Sequence, residues 1–184
     1  MIRPRLTLCA VMALCPAMGL TGDASGAHAM DFDIGCWKTH SSRLMQPLRG
    51  SSDWRDMDGY TNVTAIWNGR ANIAEYKAAG SAGEVELLAL RTYDPTTDQW
   101  HLYFSHPNTG TIDVPGVGVA GDSRIDFYDQ ENREGKAIWV RFSIWRITSD
   151  TAQSEQAFSI DAGKTWEVNW VNKYTRIRQA NPIA

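Results

Sequence analysis

Cysteine is scarce in this chain. Of its three Cys, Cys9 and Cys15 fall within the first 29 residues, which leaves Cys36 without a partner. A disulfide scaffold is therefore excluded, and stability has to come from packing. Cys36 reads either as a small buried apolar residue or, with a base beside it in space, as a nucleophile. Apolar runs long enough for a membrane are missing as well. The N-terminal run from Leu6 to Leu14 has nine residues, carried on through Ala17 and Met18. It falls short of the ~20 residues that span a bilayer, and Pro16 breaks it, so no membrane span is expected. Charge of one sign is also lacking: 18 basic and 21 acidic residues are spread without a block of either. Nucleic acid, which needs a basic face, is a poor partner, and no basic amphipathic stretch suits a membrane surface. Helical periodicity is almost absent, and no repeat of fixed period suggests a propeller. His40, His101 and His106 form neither H-x-H nor H-E-x-x-H, so no metal is expected, and no other cofactor. G-x-S-x-G is missing too, which leaves a Ser-His-Asp triad without a local signature.

What is present begins with an export signal. Arg3 and Arg5 precede the apolar run, and Ala27-His28-Ala29 supplies a small-x-small cleavage pattern. The pattern predicts a signal peptide over 1–29 and a single domain over 30–184, in the periplasm or secreted. The remaining stretch of about 155 residues is long enough to bury a core.

The domain breaks into short alternating runs separated by turn residues. The candidate strands are 34–42, 51–57, 61–68, 72–77, 84–93, 99–106, 123–128, 136–146, 152–159 and 165–177. Asp94-Pro95-Thr96-Thr97-Asp98 and Thr148-Ser149-Asp150 are turn sequences, as is the polar stretch 130–135. Short turns make consecutive strands antiparallel neighbours. The segment 108–121 carries Gly110, Pro115, Gly116, Gly118 and Gly121, and reads as a long loop or weak strand near one mouth. It is no phosphate cradle, because Lys is absent and no helix start follows. An antiparallel sheet this large protects its edges best by closing. The expected fold is all-β: a single antiparallel up-and-down barrel of roughly eight to ten strands, able to enclose one small ligand.

Eight Trp lie at 37, 54, 67, 100, 139, 145, 166 and 170. Such rings fill cores and line pockets for apolar or aromatic ligands, and at least one is expected to face a cavity. Ser159-Ile160-Asp161-Ala162-Gly163-Lys164-Thr165-Trp166 matches the S-x-D-x-G-x-T-W pattern of an Asp-box hairpin. Asp161 can accept backbone N–H bonds there and Gly163 can take φ > 0. A single copy is a structural turn, so Asp161 is not counted as catalytic.

Taken in order, several segments resemble a family. The opening at 31–37 (DFDIGCW) resembles the D-F-x-x-G-x-W start of small calycin-like, lipocalin-like barrels, including bacterial DUF1579-type proteins. Ser52-Asp53-Trp54, Leu90-Arg91-Thr92-Tyr93-Asp94-Pro95, Gln99-Trp100, Val140-Arg141-Phe142, Glu155-Gln156-Ala157-Phe158-Ser159 and Trp166-Glu167-Val168-Asn169-Trp170 extend the likeness over about residues 31–178. The resemblance implies a barrel with an internal cavity. It also implies that Trp37 stacks on Arg176 or Arg178 at the barrel floor. No His follows His106, which sets the chain apart from a haem-binding calycin branch.

Polar residues inside apolar strands are the candidate site. Arg91, Arg141, Glu155 and Asn169 either meet as an internal cluster or form an outward ladder of charges. His101 and Tyr103 share one strand face and make the best acid/base pair, with Glu155 as general base, while His106 on the other face can reach the cavity mouth. Trp54, Trp139 and Trp170 join Arg91, His106, Arg141 and Asn169 as ligand-binding candidates. Two functions follow. The first is an exported barrel, monomer or homodimer, that holds a small hydrophobic or aromatic molecule. The second is a cofactor-free lyase or isomerase acting on an aromatic or lipidic small molecule in the same cavity. A third, an interaction protein of the cell envelope, predicts an interior filled by side chains.

Overall fold

A computed structural model describes residues 25–178. The expected signal therefore lies largely outside the described residues. Ten strands follow two short 3-10 helices, Ser25–His28 and Asp31–Asp33. They are β1 Gly35–Leu44, β2 Trp54–Ile66, β3 Ala71–Gly80, β4 Gly83–Asp94, β5 Gln99–Ser105, β6 Gly116–Ala120, β7 Arg124–Arg133, β8 Lys136–Arg146, β9 Thr151–Ser159 and β10 Glu167–Arg176. Each strand pairs antiparallel with its sequence neighbour, and β1 pairs with β10, so the sheet closes into an up-and-down barrel. Among the described residues, no helix is long and apolar enough to cross a membrane.

The strand count agrees with the sequence reading through two offsetting differences. The expected strands 51–57 and 61–68 are one strand, β2. Asp58-Gly59 looks like a turn, but Gly59 sits where a Cβ would strike the Lys77 carbonyl of β3, so the glycine serves close approach within a continuous strand. The weak strand inside 108–121 is β6, short and paired to β5 over only three positions. Gly118 is needed there because a Cβ would meet the Asp126 carbonyl at 2.6 Å.

Register decides which side chains face inward, since side chains alternate along a strand. Trp37, Thr39 and Ser41 of β1 pair with Arg176, Tyr174 and Asn172 of β10 and with Thr61, Gly59 and Met57 of β2. Trp37, Thr39 and Ser41 are all buried, whereas Cys36, Lys38 and His40 between them are exposed. Cys36 therefore points outward, where its thiol donates to Asn62 Oδ1 at 3.2 Å, and is not the buried apolar residue of the sequence reading.

The two ends of the barrel differ. One end is solid. Met30, Trp37, Val63, Trp100, Leu102, Ile125, Phe127 and Ile144 pack there as one apolar cluster. The segment ahead of β1 stops this floor. Arg176 donates to the carbonyls of Ile34 (2.7 Å) and Phe32 (2.5 Å) while its guanidinium lies 3.9 Å from the Trp37 ring centroid. This is the Trp–Arg contact that the resemblance implied, with Arg176 as the partner. The other end is hollow and forms the mouth.

Candidate cavity site

The hollow has a volume of about 280 Å³. One wall is apolar, made by Ala74, Leu87, Ala89, Phe104, Phe142 and Phe158. The rings of Phe104 and Phe142 meet edge to face at 5.6 Å. The opposite wall is polar and already satisfied internally. Ser41 Oγ bonds to the Tyr76 hydroxyl (2.6 Å) and donates to Asn172 Oδ1 (2.7 Å). Asn172 Oδ1 also accepts from Trp170 Nε1 (2.9 Å), and Asn172 Nδ2 donates to Ser154 Oγ (3.0 Å), which in turn bonds to the Tyr174 hydroxyl (2.8 Å). Tyr76, Trp170, Asn172 and Tyr174 all line the hollow. Burial pushes both phenols, Tyr76 and Tyr174, above the ordinary value, so they stay neutral hydrogen-bonding groups. A chain of paired polar groups of this kind fixes side-chain positions before any ligand arrives.

The floor of the hollow is charged but balanced. Arg91, almost fully buried, is hydrogen-bonded to the buried Asp33 carboxylate through Nη1. Asn72, opposite Arg91 on β3, is fully buried, and neither of its amide atoms has a partner. The rim carries carboxyls: Asp113 and Glu131 line it, and Asp129 stands next inward on β7. Burial, with Glu131 and Asp113 adding repulsion, pushes the Asp129 carboxyl up to about 7. Glu131 is raised in the same direction by partial desolvation and by Asp113. Arg133 sits beside Glu131, 5.3 Å from the Phe158 centroid, and Arg43 on β1 lies 4.8 Å from that of Trp170. The loop between β1 and β2 reaches across the mouth, where Leu48 packs on Ile138, Val140 and Phe158 and its N–H donates to Glu167 Oε1 at 2.5 Å.

Of the residues singled out from sequence, Arg91, His106 and Trp170 line the hollow. The internal cluster of Arg91, Arg141, Glu155 and Asn169 does not form. Arg141 and Glu155 fall on the outer face, because Phe142, their inward neighbour in the ladder, pairs with Gln156. Arg141 lies 4.7 Å over the Trp166 ring, and Glu155 accepts from Gln153. Asn169 is the extra residue of a bulge between Val168 and Trp170, and its amide bonds locally to the Glu167 carbonyl. His101 and Tyr103 do share a face, with rings 6.4 Å apart, but it is the outer one: inward-facing Leu102 stands opposite Arg91. Neither they nor Glu155 can act on a molecule in the hollow. Trp54 and Trp139 are 41% and 37% exposed and also face outward. The inward polar set that sequence reasoning missed is Tyr76, Gln156, Asn172 and Tyr174, with Asp113, Asp129 and Glu131 at the rim. Period-two spacing of Trp170, Asn172 and Tyr174, matched by Thr39 and Ser41, was the available signal.

The Asp-box hairpin forms as its sequence dictates. Asp161 accepts from the Thr165 N–H (2.9 Å) and hydroxyl (2.7 Å) and from Ser159 Oγ (2.8 Å), and these bonds hold its carboxyl down at about 2. Gly163 takes φ +83°. Trp166 folds back outside the barrel, edge to face with Tyr128 at 6.0 Å. The hairpin is structural, and its ring packs on the outer face of the barrel.

No protein-family model and no curated protein matches the chain, so the DUF1579-type resemblance is unconfirmed. Among solved structures, the S-type phycobiliprotein lyase CPES from Guillardia theta is similar over 82% of this chain and 92% of that one, at 11% identity and a TM-score of 0.55. A redesigned β barrel, mFAP1, bound to DFHBI, is similar over 81% of this chain and 99% of that one, at 11% identity and a TM-score of 0.45. The likeness to the lyase agrees with the closed antiparallel barrel seen here and shows that fold.

Proposed function

We propose that this barrel binds a small ring-containing apolar molecule in its hollow, in the periplasm or outside the cell. The observation that carries the reading is a hollow inside the barrel, open at one end and walled by Phe104, Phe142, Phe158 and Trp170. Its volume of about 280 Å³ lies just below the range of roughly 300–1,000 Å³ typical of ligand pockets, which favours a compact ring system over a long acyl chain. The Tyr76–Ser41–Asn172–Ser154–Tyr174 chain gives one side of such a ring a hydrogen-bonding edge. The test is calorimetric titration with indole, 2-naphthol and lauric acid, repeated on Ala89→Phe, which puts a ring into the hollow. Ring compounds should bind the parent, lauric acid should not, and Ala89→Phe should lose binding while melting within a few degrees of the parent. Unchanged binding by Ala89→Phe would mean that the ligand sits elsewhere.

One observation favours the second reading, a cofactor-free lyase or isomerase. Asp129, pushed to about 7, can gain and lose a proton near neutral pH beside the hollow. In that reading Asp129 takes the general-base role first given to Glu155. Turnover that survives in Asp129→Asn would remove it.

A further inference from the structure

The sequence offers four small-x-small cleavage patterns after the apolar run: Gly22-Asp23-Ala24, Ala24-Ser25-Gly26, Ser25-Gly26-Ala27 and Ala27-His28-Ala29. The last of these starts the mature chain at Met30, as expected above. The floor of the barrel argues against it. Gly26 O accepts the indole N–H of Trp100 at 2.8 Å, and Trp100 is fully buried in the main core. The backbone at Gly26 lies so close to Asp98 and Tyr93 that a side chain there would collide with the Asp98 carboxylate. Ala27 is 2% exposed, and Ala29 packs against the apolar cluster. His28 Nδ1 bonds to Asp31 Oδ2 at 2.9 Å, and both side chains close over Gly69. The stopper of the barrel thus begins at Gly26 and is continuous through Met30 to Asp33, where Trp37 Nε1 finds its acceptor at 2.7 Å.

A cut after Ala29 would do two things to this floor. It would remove the acceptor of a buried indole N–H, as a cut after Gly26 or Ala27 also would, and leave a donor unpaired in the core. It would also create a charged α-amino group on Met30, which is 0% exposed. A cut after Ala24 does neither, and it meets the small-residue requirement at both recognition positions. We propose that export processing cleaves between Ala24 and Ser25, and that residues 26–29, which resemble the end of a signal peptide, are the first structural element of the mature barrel. The chain is expressed with its own leader in a bacterial host, and the exported product is analysed by N-terminal sequencing and intact mass. The expected start is Ser25, and Ala24→Leu should leave precursor uncut or move the cut. A product starting at Met30 or at any other residue, or one that keeps the leader, overturns the assignment. A second measurement compares two purified chains, one begun at Ser25 and one at Met30. The Met30 chain should melt lower by about 4 °C or more, or fail to fold. Equal melting would overturn the role given to residues 26–29 independently of where the peptidase cuts.

Discussion

Asp129→Asn should stabilise this protein at pH 8 and leave it unchanged at pH 4. In the unfolded chain the Asp129 carboxyl titrates at the ordinary value of 3.8, whereas in the barrel burial and two neighbouring carboxyls push it up to about 7. Between those values the folded state holds a proton that the unfolded state has released. Stability therefore falls as pH rises from about 4 to 7, and the loss is complete above that window. The span from 3.8 to about 7 would be worth ~4 kcal/mol if nothing screened it. The side chain is only partly buried at the rim, so solvent screening reduces the expected penalty to ~1–2 kcal/mol at pH 8. Asn keeps the shape and carries no charge, so the penalty disappears. Urea unfolding followed by Trp emission measures this at pH 4, 6 and 8. The parent should lose stability across the series by ~1–2 kcal/mol more than the variant does. A variant that is no more stable than the parent at pH 8, or a difference that does not change with pH, would refute the account of the rim.

Other consequences follow from the floor, the polar wall and the hairpin. Arg91→Met leaves the Asp33 carboxylate buried without its partner and should cost ~3–5 kcal/mol; Asp33→Asn in the same chain should restore much of the loss in chemical unfolding. Arg176→Gln removes the donor to the Ile34 and Phe32 carbonyls and the stack on Trp37, and should cost ~2–3 kcal/mol, read as a lower urea midpoint with unchanged slope. Trp170→Phe takes one ring edge and the bond to Asn172 out of the cavity wall, so ring compounds should bind more weakly and quench less of the emission. Asp161→Ala should loosen the hairpin and shift Trp166 emission to the red with little effect on ligand binding. Because the Asp161 carboxyl is held down at about 2, the hairpin of the parent should keep its order as pH falls and lose it only as that carboxyl protonates.

The barrel was legible because alternation of apolar and polar residues over short runs is a strong local signal, and because closure is the general answer to exposed edges. The Asp-box turn was legible for a different reason: it is a fixed arrangement of residue types whose geometry the types themselves dictate, whereas the Trp37 stack came only from the resemblance to lipocalin-like barrels, which left Arg176 and Arg178 both open. The interior of the site was not legible in the same way. Alternation says that Glu155 and Gln156 face opposite sides; it does not say which side is the inside. Choosing charged and acid/base side chains as functional put Glu155, Arg141, His101 and Tyr103 in the cavity, and all four face out. The apolar neighbours could have decided the matter. Leu102 flanks His101 and Tyr103, and it is 2% exposed, which commits the alternate residues to the surface. At β10 even parity fails, because the bulge at Asn169 inserts a residue and brings Trp170 and Asn172 to the inner face in register with Gln156 and Ser154. A bulge of this kind leaves no reliable mark in sequence.

Closure has a further consequence for where function can sit. In a barrel this narrow, inward positions near the floor must be filled by large apolar groups or by backbone, and the stopper at residues 26–34 with Trp37 and Trp100 fills them. Hollow space survives where small or polar inward residues, such as Thr61, Ala74, Ala89 and Asn172, leave room between the rings of Phe104, Phe142, Phe158 and Trp170. The small residues of β2, β3 and β4 and the hydroxyls of β1 and β10 therefore determine the site more than any charged side chain does. Enlarging Ala74 or Ala89 should close it, whereas changing Glu155 or His101 should leave it intact. A binding loss in Glu155→Gln equal to that in Ala89→Phe would contradict the inward–outward assignment on which the site is built.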